Sequence, residues 1–429
     1  MQILKVTPKS AEIERICGRE VAPSREIHDK VLQILADIRQ GGIAKATEYA
    51  QKFDGLKGKN IRVPASAIAK SAAKCPKELQ KALKQAIKNV RDFHKNQMEE
   101  SWLMEGADGV VLGQRIRPMK RVGLYVPGGA GIYPSTVIMN AVPALVAGVQ
   151  DIVVVTPIKG EINRAVAFVL QELGIEEVYH IGGAQAIGLL AYGAKDAKGK
   201  TVVERVDKIV GPGNVFAAIA KKEVFGVVDI DMVAGPSEVL VMADNTCDPD
   251  FVAADLLSQA EHGSGFEAAI CITDNMETAQ LISACVDVQV ENSPKRELLE
   301  KVLGNFGRIL VVKDWFDGVE IANRIAPEHL EVMTAEAESM AAQIENAGAV
   351  FIGPWSSEPV GDYFAGPNHV LPTNGTGRFF SPLGVYDFLK RMSIIRYSEK
   401  AIKKNAKAIA AVATEEGFIH HAAAVLKRL

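Results

Sequence analysis

The chain has 429 residues, too long for one compact core, and this length predicts at least two domains. Charged residues make up 24% and hydrophobic residues 48%, as in an ordinary soluble globular protein, and the formal net charge is -3. Lys and Arg are spread along the chain, so the composition calls for neither nucleic acid nor an anionic membrane as a partner.

The cysteines and the apolar runs indicate the compartment. The five cysteines lie far apart without a CxxC pair, which indicates a reducing compartment and mostly buried thiols rather than a disulfide framework. The polar stretch Met1–Arg15 does not resemble a signal peptide. The most apolar run, Val137–Val149, is too short to span a bilayer and contains Asn140 and Pro143. We therefore expect a cytoplasmic protein.

The first predicted elements are helical. Residues 1–20 form a short, charged segment, which predicts an N-terminal arm. Over residues 24–105, apolar residues recur every three or four positions, which is the spacing of one helix face. Pro23 and Pro76 lie where helices would begin. The chain also ends in a helical pattern, over residues 399–429.

The pattern changes at Arg121, where short β-branched runs that end in glycine or proline begin. Helical segments such as 162–174 separate several of these runs, which is typical of a parallel doubly wound sheet. In such sheets ligands bind beyond the carboxyl ends of the strands, where these glycines lie. Further strands after Gly235 predict a second α/β unit. The runs are RVGLYVPGG, DIVVVTP, EEVYHIGG, DKIVGPG and GVVDIDMVAGPSE, followed by SEVLVMAD, EAAICIT and GRILVVK.

The segment CDPDFVAADLLSQAEHG predicts one helix that carries two metal-type side chains. Asp248 would be its N-cap, Pro249 would fit its first turn and Gly263 its C-terminal stop. Gln259 and His262 are three residues apart, so they would project together from the last turn. Taken alone, this pair is more often a polar helix end whose histidine complements the negative pole of the helix.

The segment APEHLE places two proton carriers side by side. Pro327 ends a helix and leaves Glu328 and His329 at the start of a new element, where a turn would let both reach one cleft. A Glu and His pair offers two groups whose pKa values the environment can separate. A polar turn over the sheet is an equal alternative.

Two later segments add further candidate ligands. GDYFAGPNHVLPTNGTGRF predicts a long ordered loop, neither helix nor strand, and such loops are usually functional. Asp362 could be a hard oxygen ligand there and His369 a substrate contact, unless Asp362 only caps its own turn. In EEGFIHHAAAVL, Glu416 lies near His420 and His421, and spacing alone does not choose between the histidines. Together with Asp362 and the Gln–His pair above, one of these histidines would give two nitrogens and two oxygens, a set that suits zinc.

The dinucleotide signal is unusual because no G-x-G-x-x-G with a downstream acid is present. Three glycine-rich segments could each let backbone N–H groups approach a pyrophosphate, and tight turns are the alternative reading of each. They are YVPGGAGIYPS (Tyr125–Ser135), GGAQAIG (Gly182–Gly188) and GPGN (Gly211–Asn214).

In their order along the chain, these segments resemble the histidinol dehydrogenases, zinc- and NAD-dependent enzymes that end histidine biosynthesis. The resemblance runs over residues 121–378 and again over 416–421, and the helical N-terminal third is less diagnostic. It implies an α/β fold of two doubly wound Rossmann-like parallel-sheet domains, a helical N-terminal region and a small helical C-terminal tail. The motifs that carry it are YVPGG, GGAQAI, DKIVGPGN, AGPSE, LLSQAEH, APEHLE and GDYFAGPNHVLPT.

The resemblance also implies roles for individual residues. The family pattern has a histidine five residues after the glutamate, which selects His421 over His420, and proton transfer falls to Glu328 and His329. The implied zinc ligands are Gln259, His262, Asp362 and His421. The implied NAD contacts are Tyr125, Gln185 and Asn214. The implied substrate contacts are Ser237, Gln259, His262, His329, Asp362, His369, Glu416 and His421.

The implied reaction is the four-electron oxidation of L-histidinol to L-histidine, through bound L-histidinaldehyde, with two NAD consumed. An alcohol oxidation needs a base for the hydroxyl proton, which suits His329, and the hydration of the aldehyde needs a second base, which suits Glu328. Zinc would hold the imidazole and amine of the substrate in place. No cysteine lies in a segment with a catalytic pattern, so a thiohemiacetal is not expected.

The expected organisation has four parts and two subunits. Residues 1–20 form the arm, 21–122 with 236–383 form the α/β domain with the zinc and substrate site, and 123–235 form the NAD-binding domain. Residues 384–429 form a tail that, as the resemblance implies, completes the site of the partner in a homodimer.

Three other functions fit parts of the sequence. A zinc- and NAD-dependent dehydrogenase of another small polar alcohol would share the scaffold, although His369 and Glu416 favour histidinol. A zinc-dependent hydrolase would use Glu328 without a dinucleotide, and the glycine-rich strand ends argue against it. A non-catalytic metal-binding module would have no use for a Glu–His pair beside the metal.

Overall fold

The computed structural model describes residues 1–19, 24–128, 133–233, 235–262 and 265–429. The strands within these residues are β1 (Gln2–Lys5), β2 (Trp102–Glu105), β3 (Val111–Pro118), β4 (Arg121–Tyr125), β5 (Asp151–Thr156), β6 (Glu177–His180), β7 (Ala194–Lys195), β8 (Thr201–Val203), β9 (Lys208–Val210), β10 (Asp229–Ile230), β11 (Glu238–Ala243), β12 (Ala268–Thr273), β13 (Gly307–Val311), β14 (His329–Met333), β15 (Ala349–Ile352) and β16 (Leu389–Arg396).

The helices surround these strands and separate most of them. They are α1 (Ala11–Cys17), α2 (Arg25–Phe53), α3 (Ala65–Ala72), α4 (Lys77–His94), α5 (Pro134–Ala147), α6 (Arg164–Glu172), α7 (Gly183–Tyr192), α8 (Val215–Val224), α9 (Pro249–Ala260), α10 (Met276–Glu291), α11 (Arg296–Phe306), α12 (Trp315–Ile325), α13 (Ala337–Ala341), α14 (Glu358–Val360), α15 (Glu399–Glu415) and α16 (Ile419–Leu426). A π-helical turn, Gly361–Ala365, follows α14 directly.

The larger sheet is parallel throughout, with the strand order β1-β13-β12-β11-β14-β15. Every residue of β11, β12, β13 and β14 is buried, because helices cover both faces. One hydrophobic core lies between the sheet and the helices α9, α10 and α11. A second core lies between the sheet and the helices α1 and α12. The chain runs outward from β11 to β13 and then returns to β14 on the other side of β11. The topological switch point of this sheet therefore lies between β11 and β14.

The smaller sheet is also parallel, with the order β10-β9-β4-β5-β6. Its switch point lies between β4 and β9, where the chain after each strand comes very close to its neighbour. Gly211, directly after β9, has φ +110°, and a Cβ there would clash with the carbonyl oxygen of Tyr125. Glycine is the residue that tolerates both this φ and this approach. The two predicted doubly wound units are thus confirmed, as are the predicted strand runs.

The first residues do not form a separate arm, and that prediction was wrong. β1 pairs in parallel with β13 along the edge of the larger sheet, from Gln2 opposite Arg308 to Lys5 opposite Val311. Ile13 and Ile16 of α1 are buried in the core that contains α12. The apolar residues of this segment, although interspersed with charges, are enough to attach it to the larger domain.

The N-terminal helices pack mainly on the helices that cover the smaller sheet, although we grouped residues 21–122 with the larger domain. α2 packs against α7 and α8, and α3 and α4 pack against α6 and α5. Gly188 of α7 permits the close approach, since a Cβ there would touch Leu35 and Ile38 of α2. The domain bounds differ here from those expected, because helical periodicity shows that a face is buried but not which sheet buries it.

In the C-terminal tail, a strand that was not predicted precedes the predicted helices α15 and α16. β16 pairs antiparallel with β3 from Leu389 opposite Pro118 to Arg396 opposite Val111, and β2 completes this third sheet. Val385 and Phe388 are fully buried and anchor the start of the tail. By contrast, the apolar side chains of Val412, Phe418 and Ile419 in and after α15 are exposed. The outer part of the tail therefore presents an apolar surface to its surroundings.

Two expectations about the bulk of the chain can also be compared with the structure. All five cysteines are free thiols, but only Cys75 and Cys271 are buried, while Cys17 is exposed. The prediction that most of the thiols are buried was therefore wrong. In the part of the chain that the structure describes, no helix combines the length and the apolar character needed to cross a bilayer.

Candidate active site

The Glu328–His329 pair lies at the amino end of β14, beside the switch point of the larger sheet. Helix α12 ends at Ile325, and Ala326 follows with φ 47°, so the chain turns sharply before the strand begins. The carboxylate of Glu328 accepts a hydrogen bond from the backbone N–H of Glu238 at 3.0 Å. Nδ1 of His329 lies 3.0 Å from the carbonyl oxygen of the same residue. Both side chains are thus fixed to the first residue of β11.

The surroundings of His329 orient its ring. Because Nδ1 faces a carbonyl oxygen, it carries the proton, and Nε2 is directed to Oδ1 of Asp362 at 3.3 Å. Burial alone would lower the pKa of His329, but the carboxylates of Glu328 and Asp362 outweigh it and raise the pKa to about 10. Burial raises the pKa of Glu328 to about 8. Two proton carriers with strongly shifted pKa values thus stand side by side.

The metal-type donors converge on the same place from four elements. Asp362 comes from the π-helical turn, in a segment that we expected to be neither helix nor strand. One potential ligand atom each of His329, Glu358 and Asp362 lies within 4.8 Å of the other two. Gln259, fully buried at the end of α9, lies with its amide 3.5 Å from Nδ1 of His262. His262 is exposed, so the cluster opens to its surroundings on that side.

The helix that carries Gln259 begins as predicted but ends at Ala260, so His262 lies in the turn after it and not on its last turn. Oδ1 of Asp248 accepts a hydrogen bond from the N–H of Asp250 at 2.9 Å and caps α9. The predicted stop, Gly263, lies outside the described residues.

The electrostatics of the cluster favour a cation. Burial raises the pKa of Glu358 to about 7. Behind it, burial raises the pKa of Glu331 to about 9, and the carboxyl of Asp255 adds to the shift. Buried carboxylates that outnumber their positive partners repel one another and destabilise the site, and a bound cation would remove this repulsion. The carboxylate of Asp362, with an imidazole nitrogen and an amide oxygen, forms a donor set that fits a divalent zinc ion.

Two predicted substrate contacts also lie beside the cluster. Nδ1 of His369 lies 3.1 Å from the carbonyl oxygen of Asp362. The hydroxyl of Ser237 lies 3.3 Å from an atom of the Gln259 amide. The loop that carries His369 is attached to the smaller domain, since Nδ2 of Asn368 donates to the carbonyl oxygen of Met139 in α5 at 2.6 Å. The site therefore stands close to the junction of the two domains.

Glu416 and His421 are not brought to this cluster. Glu416 follows the last residue of α15, His421 lies in α16, and both are exposed. Among the described residues, neither is joined to the cluster by a hydrogen bond or an ion pair. The only ring near His421 in that part of the chain is Phe418, at 5.0 Å between centroids. One chain thus brings together three of the four predicted zinc ligands.

A cavity of about 510 Å³ lies at the carboxyl ends of the smaller sheet's strands. Tyr125, Gly183 and Asn214 line it, together with Lys159 and Asp54. The hydroxyl of Tyr125 accepts a hydrogen bond from the backbone N–H of Gly183 at 3.0 Å. Two of the three predicted NAD contacts therefore share one cavity. Part of the predicted glycine-rich segment beside it, residues 129–132, lies outside the described residues.

The third predicted NAD contact, Gln185, is buried beneath this cavity. Its amide donates to Oδ2 of Asp54 at 3.1 Å, and the backbone N–H of Gly182 donates to the same oxygen at 3.0 Å. The side chain of Asn214 accepts a hydrogen bond from the N–H of Ala217 at 3.1 Å and caps α8. Asn214 and Gln185 thus also stabilise the walls of the cavity.

Sequence reasoning missed two residues of these sites. Glu358 precedes Asp362 by four residues, one helical turn, and that spacing could have identified it. Asp54 follows α2, far from every glycine-rich segment, and no local pattern in the sequence marks it.

The fold and the two sites define a two-domain α/β enzyme, with a buried carboxylate–imidazole cluster on one sheet and a cavity at the strand ends of the other. Residues 18–429 match the family model described as histidinol dehydrogenase. The chain is 48% identical over 426 residues to a histidinol dehydrogenase of Geobacillus kaustophilus, covering 97% of this chain and 99% of that one. It is 44% identical to one of Heliobacterium mobile, covering 99% of both chains. A crystal structure of histidinol dehydrogenase from Elizabethkingia anophelis superposes with a TM-score of 0.92 at 35% identity, over 100% of this chain and 98% of that one.

The chain therefore belongs to the histidinol dehydrogenase family, a family of oxidoreductases. The resemblance drawn from the sequence motifs is confirmed, and so is the fold class that it implied.

Proposed function

We propose that this chain catalyses the NAD-dependent, four-electron oxidation of L-histidinol to L-histidine, the last step of histidine biosynthesis. The observation that carries the proposal is the buried Glu328–His329 pair beside a cluster of zinc-type donors. Membership of the family supports the substrate, and the cavity at the strand ends of the smaller sheet supports the dinucleotide.

In the first oxidation, Nε2 of His329 accepts the hydroxyl proton of the alcohol as hydride leaves the carbon. Bound zinc would offset the carboxylates that raise the pKa of His329 and so leave Nε2 free to accept this proton. The hydrogen bond from Nδ1 to the carbonyl oxygen of Glu238 holds the ring in place throughout. NAD supplies the hydride acceptor when it is bound. The product is an aldehyde that stays in the site.

The second oxidation requires the aldehyde to take up water, because loss of hydride from the aldehyde itself would leave an acyl cation, whereas loss of hydride and a proton from the hydrate gives the carboxylic acid. Glu328 removes a proton from the attacking water, and its raised pKa suits a group that must accept and return a proton near neutral pH. Loss of hydride and a further proton from the hydrated aldehyde gives the carboxylic acid. Two NADH form for each histidinol consumed.

The metal and the substrate are held by residues of two subunits in this proposal. Gln259, His262 and Asp362 of one chain bind zinc with His421 of the other. Bound zinc would orient the imidazole and amine of the substrate. The remaining proposed substrate contacts are Ser237, His369 and Glu416.

The proposed assembly is a cytoplasmic homodimer without nucleic-acid or membrane partners. The exposed apolar side chains of the tail and the exposure of Glu416 and His421 support an arrangement in which the tail reaches a second subunit. Tyr125, Gln185 and Asn214 are the proposed NAD contacts.

The test is the amount of NADH formed per L-histidinol consumed by the purified protein, with and without a chelator. We expect two NADH per histidinol, loss of activity on chelation and recovery with zinc. One NADH per histidinol would show that the aldehyde escapes and that Glu328 does not direct its hydration. No NADH from histidinol, but NADH from another small polar alcohol, would reassign the substrate on the same scaffold.

A further inference from the structure

The amide of Gln259 has two possible orientations, and its surroundings choose one of them. The side chain is fully buried, so both its oxygen and its NH2 group need partners. With the oxygen towards Glu358, the amide oxygen would face two carboxylate oxygens, which are acceptors only. In the opposite orientation, the NH2 group donates to both carboxylate oxygens of Glu358, at 3.1 and 3.0 Å. Only this orientation satisfies the amide.

The same orientation directs the amide oxygen to the proposed metal position. The oxygen accepts a hydrogen bond from the hydroxyl of Ser237 at 3.3 Å. It is also the amide atom that lies 3.5 Å from Nδ1 of His262. Two ligands of a tetrahedral zinc ion, each about 2.1 Å from the metal, are about 3.4 Å apart. The amide oxygen and the imidazole nitrogen already have this separation.

Glu358 is itself held firmly. Its Oε2 accepts a hydrogen bond from the hydroxyl of Ser258 at 2.9 Å, and its backbone N–H donates to Oε1 of Glu331 at 2.7 Å. Its side chain is almost completely buried. The carboxylate therefore stays beneath the amide and does not turn towards solvent.

We propose that Glu358 is a positioning residue that fixes the Gln259 amide with its oxygen towards the metal. An amide binds a metal through oxygen, because the lone pair of its nitrogen is delocalised. Without an acceptor under the NH2 group, the amide is free to rotate and its oxygen faces the metal only part of the time. The inference rests on the proposed zinc site and adds the group that makes an amide a usable ligand there.

The competing role for Glu358 is that of a metal ligand, since its carboxylate lies within 4.8 Å of the donors of His329 and Asp362. The hydrogen bonds argue against it. Both carboxylate oxygens already accept hydrogen bonds from the amide, and one accepts a further bond from Ser258. A ligand would have to give up these bonds and leave a buried amide unpaired, which costs free energy.

The two roles are separated by a double-mutant cycle on zinc affinity, measured by titration of the metal-free protein against a competing chelator. In the positioning role, Glu358→Ala weakens zinc binding about 10- to 100-fold, as for other outer partners of metal ligands. The same change has no further effect in a Gln259→Ala background, because the side chain that it positions is gone. Equal losses in both backgrounds would show that Glu358 binds the metal directly.

Two further variants complete the experiment. Glu358→Gln retains the volume and one acceptor, so a smaller loss than for Glu358→Ala is expected, and it decides the question if the alanine variant does not fold. Glu261→Gln is the control, because it removes an exposed carboxylate beside His262 that pairs with Lys295 and does not contact the amide. Unchanged zinc affinity in both Glu358 variants would overturn the inference. Absence of zinc binding by the unaltered protein would instead overturn the proposed function.

Discussion

The proposed exchange of the C-terminal tail between subunits can be tested with dimers of two different chains. One chain carries His421→Ala, which removes the tail ligand, and the other carries Glu328→Gln, which removes a catalytic group. Each variant alone forms a dimer with two defective sites. Co-expression with two affinity tags and tandem purification yields the mixed dimer.

The position of the tail sets the expected activity. If the tail acts on the other subunit, the first chain keeps an intact core and receives the intact tail of its partner. A symmetric dimer has two equivalent sites, so the mixed dimer retains about half of the wild-type kcat. If the tail acts on its own chain, each site has one defect and activity is lost.

The matched control places both changes on one chain and pairs it with the unaltered chain. Here the prediction reverses: exchange of tails leaves both sites defective, and the absence of exchange leaves one site intact and about half of the activity. Histidinol-dependent NADH formation measures both dimers under the same conditions. An inactive first dimer together with a half-active second dimer would refute the proposed role of His421 in the partner's site.

Three further predictions follow from single contacts. Glu328→Gln should slow the second oxidation by about 100-fold or more, so that trapped aldehyde accumulates and NADH per histidinol approaches one. Asp54→Asn should raise the KM for NAD about tenfold, roughly 1.4 kcal/mol, and leave zinc content unchanged, because it weakens the support of Gln185; an unchanged KM would contradict the role given to this carboxylate. Burial lowers the pKa of His94, so between pH 7 and 5 the unfolded chain takes up a proton on this histidine that the folded chain does not. The free energy of unfolding should therefore fall as the pH drops from about 7 to 5. Urea unfolding of His94→Gln should lack the part of this pH dependence that comes from His94.

The strands of the smaller sheet could be predicted because each lies in a short β-branched run that ends in glycine or proline, and β11, β12 and β13 could be predicted as apolar runs between helices. β1, β14 and β15 of the larger sheet were not predicted. The patterns that predicted the other strands depend on neighbouring residues alone. The packing of the N-terminal helices could not be predicted in the same way. The apolar face of α2 would fit any apolar helix surface. The surface that it contacts on α7 has no side chain at Gly188, where Leu35 and Ile38 pack, and this glycine lies about 150 residues further along the chain. Contacts at such separations leave no local pattern in a single sequence.

The position of the candidate site shows which part of the topology the strand pattern leaves out. Ligands were expected beyond the carboxyl ends of strands, and the cavity of the smaller sheet lies there. The cluster of the larger sheet lies at the amino ends instead. In a parallel sheet each connecting helix runs back towards the amino end of the next strand. The last turn of α9 with Gln259, the chain after α12 with Glu328 and His329, and the first residue of β11, Glu238, must therefore meet at the same edge. A motif that directly follows a helix is therefore predicted to lie at the amino ends of the strands, and one that follows a strand at the carboxyl ends. Once the helices were assigned, the position of Gln259, Glu328 and His329 could have been predicted in this way.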